Sequence, residues 1–153
     1  MTTRRSSFDW RNDDGFVGGA EALPFGFLVF VIGALMIVNA WAVVDAKLAV
    51  TAASREGVRV FVESDEAVAG AAANSRANQA LAAFGRSDGR ERVGSIVAEA
   101  AFARCARVSM EVSYEVPAIT LPWIGGFGES IVVRSVHSEI IDPYRDGVPE
   151  GGC

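Results

Sequence analysis

Between Ala22 and Val44 the chain runs for 23 residues without a charged side chain. A bilayer's hydrocarbon core takes about 20 apolar residues of helix at about 1.5 Å rise, so this run is long enough to cross a membrane once. Asn39 is its one strongly polar side chain. Pro24 falls in the expected first turn, where a missing N–H leaves no bond unmade, and Glu21 just before it suits the positive end of a helix. The helical pattern continues past Asp45 and Lys47 through Ala46, Ala49, Val50 and Ala53. Two other readings compete with a span. Ala40 and Ala42 form an A-x-A site of the kind a signal peptidase cuts, although the apolar part of a signal peptide is usually about 7 to 15 residues. A core helix of a soluble protein would carry a polar face, which this run lacks. Charge does not settle orientation, because Arg4, Arg5 and Arg11 precede the run and Lys47, Arg55 and Arg59 follow it. Gly26, Gly33 and Ala40 recur every seven residues, near one helix face, where small side chains let a second helix come close; lipid-facing filler is the plainer alternative.

The remaining composition excludes several function classes. With 14 basic and 19 acidic residues the formal charge is −5, which leaves no broad positive surface for nucleic acid. One histidine, His137, and two distant cysteines do not make a zinc ligand set. There is no G-x-S-x-G nucleophile elbow, and His137 sits in a strand pattern, where an ordinary hydrogen-bonded histidine is the expectation. Gly125-Gly126-Phe127-Gly128 lacks the Lys and Ser/Thr of a phosphate loop and reads as a turn. Neither catalysis nor a cofactor is expected.

After the run, Asp45 to Cys153 is long enough for a small domain. Nine of the seventeen residues from Ala67 to Ala83 are alanine, the best helix former, so helix is predicted there despite Gly70. Asp88 followed by Glu91 resembles a capping box, and Val93, Ile96, Val97, Ala100 and Ala101 repeat at helical spacing, which predicts a shorter helix to about Arg104. The period then becomes two: Val108, Met110, Val112, Tyr114 and Val116 alternate with Ser109, Glu111, Ser113 and Glu115, a half-buried strand. A second β-rich run covers Ser130 to Ile141, with Pro117 to Gly128 as a twelve-residue connecting loop. That loop carries Ile119, Leu121, Trp123, Ile124 and Phe127, which either fold back on the domain or meet a partner subunit or the membrane surface. Asp142-Pro143 opens a turn into a loosely ordered tail. The expectation is an α+β chain: a leader or cytoplasmic tail over 1–15, a transmembrane helix over 16–45 continuing into an Ala-rich helical region over 46–104, an antiparallel β-hairpin over 105–145 and a flexible tail over 146–153. Whether Cys105 and Cys153 pair, or remain two free thiols, depends on the compartment and is left open.

Several segments together resemble one family. A short leader ending in Gly15, the acidic Glu21 heading an apolar helix, and Ala52-Ala53-Ser54-Arg55-Glu56-Gly57-Val58-Arg59 beyond it are similar to TadE-like proteins of tight-adherence pilus systems. Val112-Ser113-Tyr114-Glu115-Val116-Pro117 and His137-Ser138-Glu139-Ile140-Ile141-Asp142-Pro143-Tyr144-Arg145 resemble the actinobacterial members. The resemblance implies a minor pilin or pseudopilin, cut between Gly15 and Phe16 by a prepilin peptidase, single-pass in the cell membrane with its N-terminus cytoplasmic and its C-terminal domain outside. It implies contacts with other pilus or secretion subunits through the helix and the outer domain, and with lipid. Glu21 would be sixth in the processed chain, where the family pattern has its acid fifth, and Asp9, Asp13 and Asp14 balance the leader's three arginines. An uncleaved anchor and a soluble domain released after Ala42 are the alternatives.

Overall fold

The computed structural model describes residues 14–98, 101–121 and 124–153. The uncharged run is helical, and the helix does not stop where charge begins: α1 extends over Asp14–Glu63, 50 residues, with Pro24 inside it. The chain divides into two units between Val38 and Asn39. In the first, no described side chain is buried, and Phe25, Phe30, Met36 and Ile37 are 69–71% exposed. By length and composition this long apolar helix is a candidate membrane span or signal sequence.

In the second unit α1 buries one face, formed by Ala46, Ala49, Val50, Ala53, Ser54, Gly57 and Val58 at alternating steps of three and one. One glycine, one serine, three alanines and two valines leave little side chain between the backbone and whatever packs on it. After Ser64 and Asp65 the chain enters α2 (Glu66–Ala83), which buries Ala69, Ala73, Ala77 and Leu81 at steps of four. Pairing of Glu56 with Arg76 at 3.0 Å, and of Asp45 with Arg86 at 2.6 Å beyond the end of α2, sets the two helices antiparallel.

The rest is a sheet of three antiparallel strands in the order β1-β2-β3: β1 Glu91–Ala98, β2 Arg107–Leu121 and β3 Gly125–Ile140. The alternation expected in β2 is present, with Val108, Met110, Val112, Tyr114 and Val116 all buried. Register pairs Met110 with His137, Val112 with Ser135 and Tyr114 with Val133. The helix expected between Asp88 and Arg104 is not there; β1 occupies that segment and pairs Val93 with Val112 and Ile96 with Met110. A bulge between Val93 and Ile96 adds a residue to β1, and at Gly94 a Cβ would lie 2.7 Å from Glu111 O, so only glycine lets β1 come this close. The capping box is also absent: Asp88 accepts from Arg90 N at 3.3 Å, and Glu91 accepts from Gly89 N at 2.8 Å. The predicted twelve-residue loop is much shorter, because the strands pair out to Leu121 opposite Gly125, with one irregularity between Pro117 and Ile119.

The tail is fastened rather than loose. Cys105 and Cys153 form a disulfide with Cα atoms 5.3 Å apart, Arg104 N donates to Pro149 O at 3.0 Å, and Val148 is buried. The core draws Val50 and Val58 from α1, Leu81 from α2, the inward residues of β2, Val133 from β3 and Ile141 and Val148 beyond it. Among the described residues Ser54 is its one fully buried polar side chain; its hydroxyl lies 3.1 Å from Thr51 O and 3.2 Å from the Ser135 hydroxyl.

Three elements meet at Gly57. A Cβ there would overlap Met110 Sδ and lie 3.3 Å from Ala73 O. At Gly70, on α2, a Cβ would meet nothing within 4 Å. Opposite outcomes follow for the same substitution. Gly57→Ala should destabilise the domain by about 1–3 kcal/mol through overpacking, whereas Gly70→Ala should stabilise it by about 0.5–1 kcal/mol through helix propensity. Thermal unfolding of both variants checks this, and stabilisation by both would mean that Met110 yields without cost.

Candidate functional site

A polar cluster gathers around Asp45, the first charge after the apolar run. Its partner comes from the end of α2. Gly85, at φ +68°, donates to Ala82 O at 2.9 Å, and Arg86 N donates to Leu81 O at 2.9 Å, a left-handed helix end that only glycine adopts without strain. That turn sends Arg86 back toward α1. Its guanidinium donates to Asp45 Oδ2 at 2.6 Å and to Ala42 O at 3.4 Å, and lies 4.9 Å from the centroid of the Tyr114 ring. Tyr114, brought inward by the alternation of β2, donates its hydroxyl to the Asp88 carboxylate at 2.9–3.0 Å. Burial works against the Arg86 charge, but the hydrogen bonds to Asp45 and Tyr114 outweigh it and leave its pKa raised. This is a clamp between α1, the end of α2 and β2. Each member has a protein partner, so the cluster ties the three elements together.

A second polar group lies beside α1 and β3, where Arg55, Glu56 and Arg59 face His137 and Glu139 across an open groove. His137 Nε2 is 3.8 Å from Glu139 Oε1, and Arg59 Nε is 3.0 Å from Glu63 Oε1. No serine, threonine or cysteine stands among these residues as a nucleophile for His137 to activate. Among the described residues no group of three or more His, Cys, Asp or Glu side chains could hold a metal ion.

The residues singled out in the sequence are dispersed rather than brought to one site. Gly15, Phe16 and Glu21 fall within α1. A Cβ on Gly26 or Gly33 would meet nothing within 4 Å, and Ala40 is exposed, so the seven-residue stripe is open. Trp123 lies outside the described residues, as do the leader residues 1–13. Phe127 sits on β3 opposite Ile119, and near it Ile119 and Ile124 are 50% and 70% exposed. The Asp45–Arg86–Tyr114–Asp88 cluster has no local signature, since its members are separated by up to 69 positions (114 − 45). The local signal that could have pointed to it is Gly85, two residues after the alanine-rich helix, where a glycine marks a helix end.

Compared with known proteins, the chain matches no family model, no curated protein and no solved structure.

Burial raises the pKa of Tyr114 above the ordinary tyrosine value of about 10; Arg86 opposes the shift, and the bond to Asp88 reinforces it. The folded state thus binds the phenol proton more tightly than the unfolded chain does. The stabilisation is complete below about pH 10 and is lost as the pH rises through the higher folded value. Tyr114→Phe has no such proton to lose. Its unfolding midpoint should therefore fall less steeply than that of the natural chain between about pH 9 and pH 11, and parallel curves would show that Tyr114 does not titrate on unfolding.

Proposed function

We propose that this chain is a single-pass, pilin-like component of a tight-adherence type pilus or secretion system, with a structural rather than a catalytic role. Its apolar segment packs against the spans of other subunits, and the domain after Asp45 lies outside the cytoplasmic membrane and contacts partners there. The carrying observation is the continuity of α1: one 50-residue helix contains both the uncharged run and the face on which the domain's core is built. The disulfide between Cys105 and Cys153 supports the outward orientation, because such bonds persist in oxidising compartments. The same helix weighs against release of a soluble domain. A cut after Ala42 would fall inside α1 between two residues, Ala42 and Val43, that pack against the core, and would sever the helix beside the carbonyl that Arg86 holds.

The resemblance to TadE-like proteins supplies the processing and assembly details of this reading. In it, the new amine of Phe16 pairs with Glu21 of a neighbouring subunit between packed helices. Removing one partner of a buried pair costs on the order of 3–5 kcal/mol, against about 0.3–1 kcal/mol for a carboxylate that merely favours a helix end. Mass spectrometry of the protein extracted from membranes should therefore find a chain beginning at Phe16. Glu21→Gln should insert normally yet lose most of its co-purification with other pilus components. A chain beginning at Val43 would establish secretion, an intact leader would establish a plain anchor, and unimpaired assembly of the Gln variant would defeat the pairing.

A further inference from the structure

The end of the domain nearest Asp45 carries an apolar surface that its core does not use. β2 travels along α1 toward that end: Met110 lies against Gly57, and four residues on Tyr114 meets Arg86, which holds Asp45. Twelve residues of helix, about 18 Å of axis, separate Gly57 from Asp45, so these two contacts fix the strand's direction. Pro117, Gly125 and Gly126 then line one cleft with Ala42, Asp45 and Phe84. The hairpin continues past this level. At about 3.3 Å per residue, Leu121 lies up to about 13 Å beyond Pro117 along the strand. From Pro117 to Gly128 there is no charged residue, and Thr120 is the one polar side chain. Ile119 and Ile124 are exposed, as are Phe84 at the end of α2 and Trp41 on α1.

Charge thins out where this surface begins. Asp45, Arg86, Asp88 and Arg90 all line the same cleft; past the level of Pro117 and its partner Ser130, Glu129 is the one charged residue of the hairpin and Thr120 its one other polar side chain. A hairpin turn is ordinarily built from Gly, Asn, Asp and Ser for the backbone conformations they allow; here Gly125 and Gly128 take the positive φ, while Ile119 and Ile124 leave apolar side chains exposed beside them. We infer that the tip of the β2–β3 hairpin is a second membrane contact, seated in the interfacial layer of the bilayer that α1 leaves at Asp45. This rests on reading Ala22 to Val44 as a span. Lipid is the occupant because the surface is continuous with that run: Ala42, two residues before its end, lines the cleft together with the base of the hairpin. A helix alone leaves its domain free to turn about the helix axis. Two points of contact remove that freedom and fix which face the sheet and α2 present to neighbouring subunits.

The test uses the full chain in phosphatidylethanolamine–phosphatidylglycerol vesicles, with a nitroxide attached singly at Val29→Cys, Ser75→Cys, Ile119→Cys or Ile124→Cys; the native cysteines are bonded to each other and do not react. Collision with oxygen, which concentrates in lipid, is compared with collision with a water-soluble nickel chelate. Val29 should favour oxygen strongly, Ser75 should favour nickel, and Ile119 and Ile124 should show oxygen-to-nickel ratios several-fold above that of Ser75. Nickel-favouring ratios at Ile119 and Ile124 with Val29 still in lipid would overturn the hairpin contact and leave the span intact. Protection of both hairpin sites from both reagents would overturn lipid in favour of a protein partner. A water-exposed Val29 would overturn the span, and this contact with it.

Discussion

The close approach of α1, α2 and β2 at Gly57 sets the dimensions of the domain. Both helices present their smallest residues to it: Ala49, Ala53 and Gly57 from α1, and Ala69, Ala73 and Ala77 from α2. Helices with such faces contribute closeness but little volume. The bulk of the core is therefore supplied by Met110 and the valines of β2, with Leu81 and Ile141. This division makes strand register the sensitive variable. A one-residue slip of β2 would exchange Met110 for Ser109 or Glu111 and place a carboxylate where the thioether now lies. Three features oppose such a slip: the bulge at Gly94 against Glu111 O, the long pairing of β2 with β3, and the disulfide that ties the residues just before β2 to the tail.

The same arrangement explains which parts of the fold were legible in the sequence. β2 is buried on one face and half-exposed on the other, so its period of two is undisturbed in the primary structure. α1 and the alanine-rich α2 were legible because propensity and composition agree there with the tertiary structure. β1 was not. Its bulge inserts a residue between Val93 and Ile96, which stretches a step of two into one of three, and with the exposed Val97 next to Ile96 the apolar residues fall at steps that also mark one face of a helix. Asp88 and Glu91 added to the resemblance, although their carboxylates serve the turn and Tyr114 instead. The tail was misread for a related reason. Its glycines and proline suggest looseness, yet a Cβ on Gly151 would overlap Arg104 O, so glycine there marks a close fit.

The polar clamp lay further from sequence reasoning, because it depends on three elements that become neighbours only when the core forms. Asp45 reads in sequence as a boundary marker, the place where an uncharged run ends. In the folded domain it also anchors Arg86, whose side chain is 17% exposed, and through Arg86 it joins the end of α2 to Tyr114. A side chain that covers both an aromatic ring and a helix carbonyl contributes packing as well as charge. The clamp therefore fixes the first turns of α1 that belong to the domain.

Along α1 the side chains change size at the point where their surroundings change. Up to Val44 the helix carries Phe25, Phe27, Leu28, Phe30, Ile32, Met36, Ile37 and Trp41, each at least half exposed; from Ala46 its buried positions are mostly alanine, serine or glycine. Under the proposed membrane role the first set faces hydrocarbon, where large side chains are no more attracted to one another than to lipid. Association between spans then depends on how closely backbones can approach. Gly26 and Gly33, whose missing Cβ atoms face open space, and the exposed Ala40 interrupt the large side chains along one line. The same device that brings α2 onto α1 within the domain, small residues repeated along one helix face, thus occurs a second time on the apolar segment.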